Sequence, residues 1–287
     1  MAQPGLLRVG LIGANIQRSR TPALHMEEAR AHGLNLQYDL IDLDQRGRGP
    51  AALPRLLAEA EAAGFVGLNI THPCKQQVIA LLDTLSDDAR QLGAVNTVVF
   101  RDGRRTGHNT DWSGFLEGFR RGLPGAPLRT VVQIGAGGAG VAVAHACLKM
   151  AVDRLYLHDA VPGRAEGLAK DLNHRAGRDF ARAATDVVGV MATADGLINA
   201  TPVGMDLHPG LPLDARLLKP DHWVAEIVYF PLETALLTTA RQKGCRVVNG
   251  GGMAVFQAAA AFRLFTGRDP DPDRMLAHFA RMARDAG

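Results

Sequence analysis

Apolar positions along the chain switch between a period of two and a period near four, and Gly and Pro mark most of the switches. "LRVGLIG" predicts a strand, and "TPALHMEEARAHG" a helix with Thr21 as N-cap, Pro22 at its first position and Gly33 as its stop. "LQYDLIDL" follows as a strand. After a Gly/Arg-rich linker, "AALPRLLAEAEAAG" predicts a helix ending at Gly64, and "GFVGLNI" a buried strand. Beyond Pro73, apolar residues at Val78, Ile79, Leu81, Leu82 and Leu85 predict an amphipathic helix. Lys75 would then sit in its first turn, where the backbone dipole disfavours a cation by roughly 0.3–1 kcal/mol. A lysine at that position calls for a reason.

"AVNTVVFRDGRRTGHNTD" reads differently: an Asp102-Gly103 turn between short β-prone runs predicts a hairpin, added at a sheet edge. "DWSGFLEGFRRG" carries Trp112, Phe115, Leu116 and Phe119 at helical spacing, and a boundary falls near residue 108. A second series then begins at Thr130: strand "TVVQIG", helix "GVAVAHACLKM", strand "RLYLHD", helix "GRAEGLAKDLNHRAG", strands "GLINAT" and "WVAEIVY", helix "LETALLTTARQKG" and strand "CRVVNG". Alternation of this kind predicts α/β architecture with mostly parallel sheets, the second series forming a doubly wound domain. The tail helices, "MAVFQAAAAFRLFTG" and a shorter one after "DPDP", have no sheet of their own, so they are expected to return to the first domain. The expected organisation is therefore residues 1–108 with 251–287 as one domain and 109–250 as the other.

A chain of 287 residues, 47% hydrophobic, has material for about two such domains. Net charge is only +3, with both signs mixed along the chain, so nucleic acid and anionic lipid are not expected partners and a small molecule is. Cys74, Cys147 and Cys245 lie far apart without CxxC spacing, and the histidines show no ligand spacing; neither a metal site nor a disulfide framework is expected, and a reducing, cytoplasmic setting is. The N-terminus lacks the basic-then-apolar pattern of a secretory signal. The long uncharged run "TVVQIGAGGAGVAVAHACL" contains four glycines and changes character midway, so it reads as strand, turn and helix rather than a membrane span.

That run holds a GxGxxG pattern at Gly135, Gly137 and Gly140, directly after a strand and opening a helix. The first glycine permits the tight turn, the second lets backbone approach a pyrophosphate, and the third allows close packing of the helix, whose N-terminus offers unpaired N–H groups. Ala136, Gly138 and Ala139 complete the turn. Asp159 ends the next strand, about 20 residues on, where a carboxylate accepts from ribose hydroxyls and repels a 2′-phosphate. This Rossmann dinucleotide-binding reading favours NAD, while Arg164 nearby keeps NADP open.

Several polar residues fall at strand ends or helix starts of the first series, where open α/β sheets place ligands: Ser19, Thr21, Thr71, Lys75, Asn96 and Asp111. Each has a local alternative: helix caps for Thr21 and Asp111, strand-end satisfaction for Asn96, a solvated amine for Lys75. In order, "SRTP", "NITHPCK", "GAVNT", "NTD", "GAGGAG", "NATPVGM", "VYFP" and "GGGMAVFQAAAAFRLFTG" resemble the shikimate dehydrogenase family across nearly the whole chain. Within it the chain looks most like NAD-linked quinate/shikimate dehydrogenases. Asp159-Ala160-Val161 stands where NADP-linked members tend to carry Asn-Arg-Thr, and Thr21 where biosynthetic members usually have a second Ser.

The resemblance implies an active site in the cleft between the two domains. It implies that Ser19 and Thr21 bind a substrate carboxylate with Tyr229 close by, that Thr71, Asn96 and Gln257 hold ring hydroxyls, and that Lys75 and Asp111 are the catalytic pair. Asn199, Thr201, Gly204, Val228, Gly252 and Met253 would line the cofactor. The chemistry agrees: oxidising a secondary alcohol removes a proton from oxygen as hydride leaves carbon, so a proton acceptor must lie within hydrogen-bond reach, and Lys75 suits that role. Substrates would be quinate or shikimate, giving 3-dehydroquinate or 3-dehydroshikimate, in a monomer or homodimer. An NADP-dependent biosynthetic shikimate dehydrogenase, an aminoshikimate-pathway dehydrogenase and a quinate-sensing module are the alternatives. Cys74 beside the lysine, Glu226 in place of a common Asp and Ala254 in place of a usual Leu depart from the family pattern without removing a catalytic group. The Cys74 side chain is expected to pack inward rather than react.

Overall fold

The computed structural model describes residues 5–45 and 49–284. Residues 46–48 of the Gly/Arg-rich linker lie outside them, as do residues 1–4 and 285–287. The chain divides into two compact units, Met1–Thr110 with Gln257–Gly287, and Asp111–Phe256.

In the first unit, β1 (Leu7–Gly13), α1 (Thr21–Ala31), β2 (Leu36–Asp42), α2 (Leu53–Ala62) and β3 (Phe65–Ile70) follow the expected order. Then come β4 (Thr84–Leu85), α3 (Asp87–Leu92), β5 (Thr97–Arg101) and β6 (Arg104–His108). The sheet order is β2-β1-β3-β5-β6-β4, parallel from β2 to β3, with β5 antiparallel to both β3 and β6. Asp102 (φ 53°) and Gly103 (φ 69°) both take the positive φ that a two-residue type I′ hairpin turn demands. The hairpin is not the edge, however, because β4 pairs parallel outside it.

Side chains alternate across this sheet. Ile12, Leu68 and Ile70 face a fully buried layer with Leu53, Leu56 and Leu57 of α2, each worth roughly 1.5–3 kcal/mol of apolar burial. Val9, Leu11 and Tyr38 face the other layer, with Ala261 and Phe265. Those last two belong to α9 (Gly251–Thr266), and Gly67 is glycine because a β-carbon there would lie 2.5 Å from the Phe265 ring. The final helix, α10 (Pro272–Arg284), is tied to α1 by Arg274, which donates to both oxygens of buried Glu28 at 2.6 and 2.9 Å.

Two local expectations are corrected. Helix α1 begins one residue earlier than a Thr21 cap requires: Arg20 is the N-cap, already at φ −87° and ψ −6°, and makes no side-chain cap bond. The hydroxyl that serves the helix entrance is that of Ser19, which accepts from the Thr21 N–H at 3.3 Å. Nor does an α-helix follow Pro73. Residues 71–76 form turns, Gln77–Leu81 a short 3-10 stretch, and Leu82 is extended. Beyond it the chain is captured by β6: Asp83 N donates to Arg105 O at 3.0 Å and Ser86 N to Gly107 O at 2.9 Å. Sheet pairing overrides the helical spacing of the apolar residues, and Lys75 lies ahead of a five-residue 3-10 stretch rather than in the first turn of an α-helix.

The second unit opens with α4 (Asp111–Gly122) and continues β7 (Thr130–Ile134), α5 (Gly138–Lys149), β8 (Arg154–His158), α6 (Arg164–Ala176), β9 (Ala181–Ala183), α7 (Val187–Met191), β10 (Gly196–Asn199), β11 (Trp223–Glu226), α8 (Ala235–Gln242) and β12 (Arg246–Val248). Its six strands run in the order β12-β11-β10-β7-β8-β9, all parallel. Order reverses between β7 and β10, and outside the carboxyl ends of that pair a doubly wound sheet leaves its crevice. The sequence patterns did not mark β9 or α7. One core layer joins Phe115 and Phe119 of α4 to Val143, Cys147, Leu155 and Trp223. The other packs Leu197 and Val224 against Leu236 and Leu237 of α8. Among the described residues no helix is long and apolar enough to cross a membrane.

Candidate active site

In the first unit, the loops after β1 and β3 lie directly on one another. Thr71 N donates to Ile12 O and Ala14 N to His72 O, both at 2.9 Å. Gly13 makes this approach possible, since a β-carbon would collide with the Thr71 methyl. Asp42, at the end of β2, anchors the loop that carries Ser19: its carboxylate accepts from Ile16 N at 3.2 Å and from the Gln17 side chain at 2.9 Å. Burial opposes ionisation of Asp42, but the Gln17 amide and the Asp44 and Ile16 N–H groups hold it below its ordinary range. The sequence reading missed this residue; a carboxylate closing the strand directly after Leu40 and Ile41 was its signal.

Lys75 is half-buried in the turns after β3, where its carbonyl accepts from Val95 N at 2.8 Å. That bond sets the lysine's backbone beside the start of β5. Its neighbour Cys74 is fully buried in the α2 layer, where desolvation pushes the thiol up, so it packs as a small hydrophobe. Asn96 is buried as well, and its amide is engaged locally: Nδ2 donates to the Thr110 hydroxyl at 2.9 Å and Oδ1 accepts from Thr110 N at 2.8 Å. Asn109 Nδ2 donates to Ala94 O at 3.0 Å. These bonds fix the two residues preceding Asp111, which is buried and opens α4, where a carboxylate suits the positive helix end. Ser19, Thr21, Thr71, Lys75, Asn96 and Gln257 belong to the first unit, Asp111 and Tyr229 to the second.

All the residues expected at the cofactor fall in the second unit. Gly135 has φ +101°, and a β-carbon there would lie 2.6 Å from Ala200 O. At Gly140 a β-carbon would collide with the Gly135 carbonyl, whereas at Gly137 and Gly138 it would meet only open space. The two outer glycines thus serve the protein's own packing, and the middle of the turn is the approachable part, at the N-terminus of α5 with Gly137 as N-cap. Asp159 follows β8, its carboxylate accepting from Ala136 N at 2.7 Å and Val161 N at 2.8 Å. Each oxygen keeps a free lone pair for a ribose hydroxyl. Arg164 Nη1 lies 3.8 Å from the same carboxylate on a half-exposed side chain. The donor set and the open glycines fit a dinucleotide.

At the ends of β10 and β11 the structure adds a group the sequence reading noted only as a departure. Glu226 is 2% exposed and collects donors from three segments: Asn199 Nδ2 at 2.9 Å, Val228 N at 3.0 Å and the Thr234 hydroxyl at 3.1 Å. Desolvation pushes its carboxyl up to about 7 against the pull of those donors. Asn199 also donates to Val203 O at 2.9 Å and accepts from the Thr201 hydroxyl at 2.7 Å. The side chains of Asn199 and Thr201 are therefore bonded within their own loop. Gly204 (φ +109°) ends that loop against Thr234. Gly250 lies on the backbone of Val228, and Gly252 meets Gly118 of α4 at near backbone contact, which brings Val228, Gly252 and Met253 into one neighbourhood. Among the described residues no cluster of His, Cys, Asp or Glu could hold a metal ion.

A six-stranded parallel sheet in this order, a glycine turn opening α5 and an acid after β8 define a dinucleotide-binding α/β protein, joined to a second α/β unit. The chain belongs to the shikimate dehydrogenase family. Residues 11–98 match the family's substrate binding domain and residues 250–278 its C-terminal domain. A shikimate dehydrogenase (NADP(+)) of Streptomyces avermitilis is 58% identical over 97% of this chain and 96% of its own length. A quinate/shikimate dehydrogenase (NAD(+)) of Corynebacterium efficiens is 51% identical over 94% of this chain and 96% of its own. Among solved structures, quinate dehydrogenase from Corynebacterium glutamicum in complex with NAD superposes with a TM-score of 0.90 at 47% identity, covering 96% of this chain and all of that one.

Proposed function

We propose that this protein is an NAD-dependent dehydrogenase that oxidises a ring secondary alcohol of quinate or shikimate to 3-dehydroquinate or 3-dehydroshikimate, and catalyses the reverse reduction. The observation that carries the NAD preference is Asp159: a carboxylate bonded to Ala136 N and Val161 N occupies the place where a 2′-phosphate would meet like charge. Relatives named for NAD support it. A second reading, an NADP-dependent shikimate dehydrogenase, is favoured by the half-exposed Arg164 and by the relative from Streptomyces.

In the proposed mechanism the Ser19 and Thr21 hydroxyls take the substrate carboxylate, with Tyr229 beside it, and Thr71, Asn96 and Gln257 hold ring hydroxyls. Lys75, as the free amine, accepts the proton of the reacting hydroxyl while the carbon–hydrogen bond breaks. In the reverse direction its ammonium polarises the ketone and returns that proton. Asp111 completes the pair at a neighbouring hydroxyl. The bound nicotinamide dinucleotide supplies the hydride acceptor or donor. Initial rates of NAD reduction with quinate and with shikimate test the assignment: wild type turns over, and Lys75→Ala loses about 10²–10⁴-fold in kcat with its fold intact. A Lys75→Ala enzyme with unchanged kcat would remove the lysine from the mechanism.

A further inference from the structure

Gln133 lies between Val132 and Ile134 of the apolar core, one residue before the end of β7, and is 0% exposed. A polar side chain inside the first strand of a parallel sheet, where both faces are covered by helices, is out of keeping with the pattern of such strands. Its amide is not idle. Nε2 donates to Gly135 O at 2.8 Å and to Gly140 O at 2.9 Å, so one side chain spans the turn from its first glycine to its third. The other end of the same Gly135–Ala136 peptide is held too, because Ala136 N donates to Asp159 Oδ2 at 2.7 Å. One peptide plane is thus fixed from both sides, its carbonyl by Gln133 and its N–H by the acid after β8.

The arrangement is costly in one respect: Gln133 Oε1 is buried with no hydrogen-bond partner among the described residues. A buried carbonyl oxygen left unpaired is destabilising; an apolar side chain of the same size would remove that penalty but deprive the buried Gly135 and Gly140 carbonyls of their donor. The bonds of Gln133 converge on the turn whose middle, Gly137 and Gly138, is open to a ligand, and on the first turn of α5.

We propose that Gln133 is a positioning residue for the dinucleotide: by bonding the carbonyls of Gly135 and Gly140 it sets the span of the turn and directs its free N–H groups toward the pyrophosphate. It touches the turn and not the ligand, and it acts together with Asp159, which fixes the same peptide from the opposite side. The proposal rests on the dinucleotide-binding reading given above.

The test is binding of NADH and NADPH to the full chain, measured by calorimetry on wild type, Gln133→Leu and Gln133→Met, with thermal unfolding of each ligand-free protein. Both variants should weaken the tighter-binding dinucleotide about tenfold, leave KM for the alcohol substrate within about twofold, and unfold a few degrees earlier than wild type, because the Gly135 and Gly140 carbonyls lose a donor. Binding within about twofold of wild type in either variant would overturn the proposal. So would a KM for the alcohol substrate that rises as much as dinucleotide binding weakens, because Gln133 would then be a structural residue. Failure of wild type itself to bind either dinucleotide would instead overturn the reading on which the proposal rests.

Discussion

His25 makes the first unit sensitive to acid. It lies on the inner face of α1, is 0% exposed, and neither ring nitrogen has a hydrogen-bond partner among the described residues. Its neighbours are aromatic: Tyr38 at 5.1 Å, Phe265 at 5.8 Å and Phe262 at 6.0 Å between ring centroids. Desolvation alone lowers it from 6.5 to about 3. The folded chain therefore keeps a neutral imidazole at pH values where the unfolded chain takes up a proton. Stability from this group is fully present above the unfolded value and is lost as pH falls toward the folded one. Between about pH 7.5 and about pH 5 the loss amounts to ~2 kcal/mol. Urea unfolding of wild type and His25→Leu at those two pH values, followed by far-ultraviolet circular dichroism, isolates the contribution, since other groups titrate alike in both proteins. Trp112 and Trp223 both lie in the second unit, so tryptophan fluorescence reports that unit separately. His25→Leu should show the shallower pH dependence by ~2 kcal/mol; equal dependence in the two proteins would refute the reasoning.

Glu226→Leu would leave the Asn199 amide, the Val228 N–H and the Thr234 hydroxyl without their shared acceptor, at about 1–3 kcal/mol for each group left unsatisfied. Calorimetric scans should show a Tm several degrees lower, and an unchanged Tm would mean that water replaces the carboxylate. The three cysteines are all buried, and burial raises each thiol. Iodoacetamide should modify none of them in the native protein at neutral pH and all of them in urea, as counted by mass spectrometry. Gly140→Ala should abolish dinucleotide binding, because the new methyl group collides with the Gly135 carbonyl; calorimetric titration with NADH checks it.

Strands and hairpin were legible where the signal is local. The Asp102-Gly103 pair dictates its own turn, and GAGGAG between an apolar strand and an apolar helix needs no tertiary information. The segment after Pro73 was not legible in this way. Val78, Ile79, Leu81, Leu82 and Leu85 match a helical period, yet the chain there is claimed by backbone pairing with β6, a partner more than 20 residues away. The three residues of β9 and the five of α7 are too short to carry a period at all. The α-helix whose dipole singles out Lys75 in the sequence is absent, and a 3-10 stretch begins after it instead. What singles it out in the structure is the bond from Val95 N to its carbonyl, which sets the turn beside Asn96. Of the site, residue types at strand ends could be read from the sequence, but the bonds that hold them could not. Gln133 and Glu226 each appear in the sequence as a polar residue interrupting or closing an apolar run, and Asp42 as one of several polar residues in its strand; only the fold reveals the backbone groups they satisfy.

The most direct test of the account is the ratio of kcat/KM for NAD to that for NADP, measured on the wild-type protein with shikimate and again with quinate. NAD should exceed NADP by about tenfold or more, one missing hydrogen bond and one like-charge contact at Asp159 being sufficient for that factor. A ratio below one with both substrates would contradict it and assign Arg164, not Asp159, as the group that selects the cofactor.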